Sequence, residues 1–126
     1  MIRRAVRSTI FTTYLLLVLA ATLAPLSSDM YVAVSGLDKI VHLCMFAGLS
    51  FLLYWSRKAE GEPLPISAVL FSSSLAGLIE IAQSPLRYRS GDWWDFIAGV
   101  LGAAIGGAAA LLAATVKHRM HPRGAQ

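Results

Sequence analysis

Residues 87–116 read RYRSGDWWDFIAGVLGAAIGGAAALLAATV. The first nine of these residues hold two arginines, two aspartates and two tryptophans, whereas Phe96 to Val116 carries no charge. An uncharged run of about 20 residues is long enough to cross a bilayer core as a helix. In lipid the backbone must satisfy its own hydrogen bonds, so a helix is the spanning form open to such a run. Trp93 and Trp94 fit an aromatic belt at the interface. Gly99, Gly102, Gly106 and Gly107 supply small-residue faces, including one GxxxG from Gly102 to Gly106. Such faces permit close helix approach and offer a route to a homo-oligomer. Asp95 is not explained this way, because an interfacial anchor does not need a carboxylate directly after a Trp pair.

The rest of the chain repeats the pattern. Of its 126 residues, 56% are hydrophobic and 14% charged, against roughly 25% charged in soluble domains. The expected architecture is all-α, a single membrane domain over residues 1–126. Its four spans lie at about Thr9–Leu26, Ile40–Trp55, Leu64–Ala82 and Phe96–Val116. The net charge of +4 does not argue for nucleic acid, because most Lys and Arg sit in short segments flanking the apolar runs. The single cysteine, Cys44, cannot form an internal disulfide and reads as a buried thiol. His118 and His121 belong to a basic tail that reads as a solvated anchor.

Span one also has signal-peptide features, a basic start and small residues near its end. Pro25 directly after Ala24 is a poor cleavage context, so the expectation is an uncleaved helix. Eight positive charges (Arg3, Arg4, Arg7, Arg57, Lys58, Lys117, Arg119, Arg123) fall on one side of the four spans and three (Lys39, Arg87, Arg89) on the other. That bias puts both termini in the cytoplasm, an arrangement that requires an even number of spans and so agrees with four.

With this topology the odd residues gather at the outer surface. Asp38 and His42 share a face at the start of span two, and Lys39 lies between them. Ser35 and Asp38 have capping-box-like spacing, which accounts for Asp38 but leaves His42 unexplained. Glu80 and Gln83 share a face at the end of span three, and Pro85 stops that helix. Asp92 or Asp95 serves as an N-cap for span four, with Arg89 just before it. Ionisable groups at membrane depth are costly and mark sites or packing networks. Both alternatives stand here: a salt-bridged network that fixes helix packing, or a functional pocket formed by Asp38, Lys39, His42, Glu80, Gln83, Arg89 and Asp95.

These residues also carry a family resemblance. DKIVHLCMF (residues 38–46) resembles the D-K-x-x-H-x-x-x-F element of the VanZ-like family of small membrane proteins. EIAQ (80–83) followed by RYRSGDWWDFIAGVLGAAIG (87–106) resembles its E-x-x-Q, R and D-x-x-x-N-x-x-G-x-x-x-G elements. Order and spacing match from Asp38 to Gly106, except that Gly99 stands where the family usually has Asn. The resemblance implies a multi-pass protein of the bacterial inner membrane and an association with resistance to the glycopeptide teicoplanin.

The outward position of the cluster points to an amphiphile with an anionic head, either a membrane lipid or a lipid-linked envelope precursor. Arg89 and Lys39 would hold phosphate or carboxylate, while His42 serves as acid or base with Glu80 as its partner. Binding is better supported than catalysis, since no serine has a nucleophile context and no phosphate loop is present. The residues permit a divalent metal on His42, Glu80 and an Asp, but no recognised ligand motif is present. The expectation is no metal and no cofactor. A transporter is disfavoured because no polar residues line the inner half of the membrane.

Overall fold

A computed structural model describes residues 2–24, 36–58, 64–85 and 92–120. These form four helices: α1 (Ile2–Leu23), α2 (Leu37–Arg57), α3 (Ile66–Gln83) and α4 (Trp93–Met120). All four are long and apolar enough to cross a membrane. Their ends differ from the apolar runs for local reasons. α1 begins at Ile2 rather than near Thr9 because Arg3, Arg4 and Arg7 continue the helix while remaining outside the core. The Arg7 guanidinium stands 4.8 Å from the centre of the Trp55 ring, within cation–π range. At its other end α1 stops before Pro25, which restricts the residue ahead of it. α2 begins at Leu37, so its first turn includes Asp38 and Lys39.

The core runs along α2. Phe46 and Leu49 of α2 pack with Ala76 and Ile79 of α3. Nearer the other end, Leu53 and Tyr54 meet Ala68 of α3 and Ala110 of α4. α4 lies closest to α2, and the GxxxG pair explains how. A Cβ at Gly102 would strike the Leu43 carbonyl, and one at Gly106 would strike the Ala47 carbonyl. These glycines face α2 of the same chain. α1 is more peripheral, and its buried side chains are Val18 and Thr22.

The outside of the bundle is apolar. Leu16, Leu17, Leu70, Leu78, Ile81, Leu101, Ile105 and Leu112 are all exposed. A soluble helix would present a polar face there, and lipid is the solvent these faces suit. Cys44 is exposed on this surface, which corrects the expectation of a buried thiol. The helices alternate in direction. The ends of α1 and α3 therefore meet the beginnings of α2 and α4 at one end of the bundle, where the polar residues collect.

Candidate polar site at one end of the bundle

α2 delivers the first set of side chains. Gly36 occupies its N-cap with no side-chain hydrogen bond, and Ser35 lies outside the described residues. The Asp38 carboxylate instead accepts from Lys39 Nζ at 3.1 Å. One turn on, His42 Nδ1 lies 3.0 Å from the Asp38 backbone carbonyl. A carbonyl oxygen only accepts, so Nδ1 carries the proton and donates. Phe46, a further turn along, stacks on the His42 ring at 6.2 Å between centroids.

α4 and α3 supply the opposing carboxylates. Asp92 caps α4, its Oδ1 accepting the Trp94 N–H at 3.0 Å. A turn later Asp95 points inward and is 8% exposed. From α3, Glu80 Oε2 accepts the Asp92 N–H at 3.0 Å. Glu80 Oε1 lies 3.8 Å from His42 Nε2, and Asp95 Oδ2 lies 4.0 Å from His42 Nδ1. Both separations exceed hydrogen-bonding range. His42 is 6% exposed, and its Nε2 has no hydrogen-bond partner among the described residues.

Lys39 is surrounded. Its ammonium is 2.9 Å from Asp92, 3.1 Å from Asp38 and 3.5 Å from Asp95 Oδ1. The last contact is an ion pair without hydrogen-bond geometry, and Asp95 Oδ1 has no hydrogen-bond partner among the described residues. Asp92 lies ahead of the span, where the hydrogen bond from Lys39 holds its carboxyl below the usual carboxylate range, helped by the Trp94 N–H.

Asp38, Lys39, His42, Glu80 and Asp95 thus come together. Gln83 has a different neighbour: its Nε2 donates to the Thr22 carbonyl at 2.6 Å, tying α3 to the end of α1. Arg89 lies outside the described residues. Asp92, expected chiefly as a cap, joins the cluster as well. Its spacing of three from Asp95 was the available signal, since it puts both carboxylates on one helical turn.

Beside the cluster a cleft of about 500 Å³ opens between α3 and α4, lined by Gly77, Glu80, Ile81, Ser84, Trp93 and Phe96. Trp93 and Phe96 form one wall, with ring centroids 5.0 Å apart. Glu80 is the one charged group among these lining residues. An apolar groove with a carboxylate at its polar end suits an amphiphile.

The VanZ/LLP1 family model matches residues 4–114. The chain belongs to the VanZ/LLP1 family. The match covers most of α1 and α4, all of α2 and α3, and every residue of the polar cluster. No match was found among curated proteins or solved structures. The motif resemblance leads one to expect an Asn where Gly99 stands. A Cβ there would come within 2.9 Å of Ala76 Cβ and 3.1 Å of Phe46 Cδ2. In this VanZ/LLP1 protein Phe46 and Ala76 fill the space that a longer side chain at position 99 would need.

Proposed function

We propose that this VanZ/LLP1 protein binds or processes an envelope lipid or lipid-linked precursor at the polar end of its bundle. In this reading the protein sits in the bacterial inner membrane with both termini in the cytoplasm, and the site faces outward. The apolar tail lies along the α3–α4 cleft against the wall formed by Trp93 and Phe96, and the head reaches Glu80, His42 and Asp95. Arg89 supplies positive charge to the phosphate or carboxylate of the head. His42 and Glu80 are the groups able to move a proton there. Holding such a lipid links the protein to teicoplanin susceptibility.

The observation that carries this reading is the buried His42 Nε2, which has no hydrogen-bond partner among the described residues and faces Glu80, the charged group lining a mostly apolar cleft. Buried polar atoms left without partners cost about 1–3 kcal/mol each, a cost that a ligand relieves. A second reading has its own support. Lys39 joins carboxylates from α2 and α4, and Glu80 accepts from the start of α4, so the cluster also fixes helix packing.

Single replacements His42→Ala, Glu80→Ala and Arg89→Ala separate the two. Membrane accumulation and thermal unfolding control for folding, teicoplanin sensitivity reads the phenotype, and lipid analysis reads a converted or retained species. Under the lipid-site reading, the variants accumulate normally and lose the phenotype by about tenfold or more. Full activity in all three, with normal accumulation, removes the lipid-site reading and leaves packing.

A further inference from the structure

We propose that His42, Glu80 and Asp95 form a binding site for one divalent transition-metal ion between α2, α3 and α4. This deepens the lipid-site reading: it rests on that reading for what the ion serves, and on its own geometry for whether an ion binds.

One ligand atom from each of the three residues lies within 4.8 Å of the other two. Neighbouring ligands of a tetrahedral ion with bonds near 2.1 Å are about 3.4 Å apart. The 3.8 Å between His42 Nε2 and Glu80 Oε1 is only slightly wider. Asp95 Oδ2 stands 4.0 Å from Nδ1 on the same ring, so completing the set requires its carboxylate to turn toward the Nε2 side.

The histidine is already prepared. Its Nδ1–H is committed to the Asp38 carbonyl, which fixes the ring orientation and leaves the Nε2 lone pair facing Glu80. Metal-ligating histidines characteristically donate their second ring N–H to a carbonyl or carboxylate in this manner. The ring is nine-tenths buried and Nε2 is unpartnered among the described residues. Without a cation, a nitrogen lone pair faces a carboxylate oxygen at a distance too long for a hydrogen bond.

Charge leads to the same place. Among the described residues the cluster holds Asp38, Glu80, Asp92 and Asp95 against one ammonium. That ammonium occupies the other candidate set, lying within ion-pair distance of Asp38, Asp92 and Asp95. Of the His42–Glu80–Asp95 set, Lys39 pairs with Asp95 alone among the described residues, at 3.5 Å and without hydrogen-bond geometry. An acidic cluster repels the anionic head that the lipid reading requires, and a divalent ion reverses this. Glu80 belongs both to the ion's ligands and to the cleft, so an incoming phosphate would meet the ion from the cleft side.

One imidazole and two carboxylates suit Mn²⁺ or Zn²⁺ better than Mg²⁺ or Ca²⁺, which favour all-oxygen sites. Thiolate-seeking ions find no ligand, since Cys44 is exposed elsewhere on α2.

The test uses the full chain in detergent, stripped with chelator, with His118→Gln and His121→Gln to remove tail binding. Titration with Mn²⁺, followed by electron paramagnetic resonance, is expected to show one ion per chain. Pulsed measurement is expected to show nitrogen modulation from one imidazole. His42→Ala abolishes the modulation and weakens binding by about tenfold or more, a loss at least as large as for outer-shell changes. If that variant does not fold, the unsubstituted residue still decides: a bound ion without nitrogen modulation overturns the site. So does the absence of a stoichiometric ion, or an equal loss on Asp38→Asn, which marks diffuse counter-ion binding. Phospholipid retained by the same preparations reads the other proposal. Metal bound without lipid overturns the lipid reading alone, and lipid retained without metal overturns the ion alone.

Discussion

Asp92 accepts the Trp94 N–H through one carboxylate oxygen at 3.0 Å and meets the Lys39 ammonium through the other at 2.9 Å. The two roles separate by mutation. Asp92→Ala removes the cap and the charge together, and the cap alone is worth about 1 kcal/mol. Asp92→Asn keeps an acceptor for the Trp94 N–H and removes only the charge. Thermal unfolding in detergent should therefore rank wild type above Asp92→Asn, and Asp92→Asn above Asp92→Ala. The acid dependence has a definite sign. The Asp92 carboxyl titrates below its ordinary value in the folded state, so its stabilisation is present above the unfolded value and is lost as pH falls through the folded one. The gap between wild type and Asp92→Asn should be level from about pH 6 to 8 and close below about pH 4. A gap that widens on acidification contradicts the Lys39 pairing. At this scale the sequence revealed His42 and Asp95 by their cost, since ionisable groups beside an apolar run need a reason. It did not reveal Gln83's bond to Thr22 or the exposure of Cys44, because both depend on how the helices are rotated about their axes.

The contact between α2 and α4 depends on two positions where nothing larger than glycine fits. Gly102→Ala and Gly106→Ala each force a Cβ against a backbone carbonyl of α2, and backbone cannot rotate aside as a side chain does. Overpacking of this kind costs about 1–3 kcal/mol. The measurement is thermal unfolding of each variant, with Ala108→Leu on the exposed side of α4 as a control that should be near neutral. If Gly102→Ala unfolds like wild type, the close approach is wrong. The existence of four helices was legible from the long apolar runs, and the small-residue face was legible from GxxxG. Their ends were less so. Hydropathy registers where side chains become polar, whereas a helix ends where its backbone ladder does, and Arg3, Arg4 and Arg7 carry α1 past that boundary. The partner of the glycine face was also hidden, since the pattern fits a second copy of the chain as well as α2.

For the molecule as a whole, a polar site at one end of the bundle acquires meaning only with an orientation. The convergence of α2, α3 and α4 on that end follows from simple alternation, since connections reverse the chain between successive spans. Which side of the membrane that end faces is a separate matter, decided by where Lys and Arg lie. Eight of the eleven positive charges fall at the opposite end or on the segments leading to it, and the proposed outward orientation of the polar end rests on that bias. Single cysteines in a Cys44→Ser background test this directly. Ser90→Cys lies on the connection at the polar end, and Gly61→Cys lies on the connection at the other. With intact cells and a membrane-impermeant maleimide, Ser90→Cys should label at once and Gly61→Cys only after permeabilisation. The reverse pattern turns the site toward the cytoplasm. It would then meet inner-leaflet lipids and soluble phosphates, and an effect on a glycopeptide acting outside the cell would lose its route. Labelling at Ser90 alone keeps the lipid site, its ion and the teicoplanin phenotype on one side of the membrane.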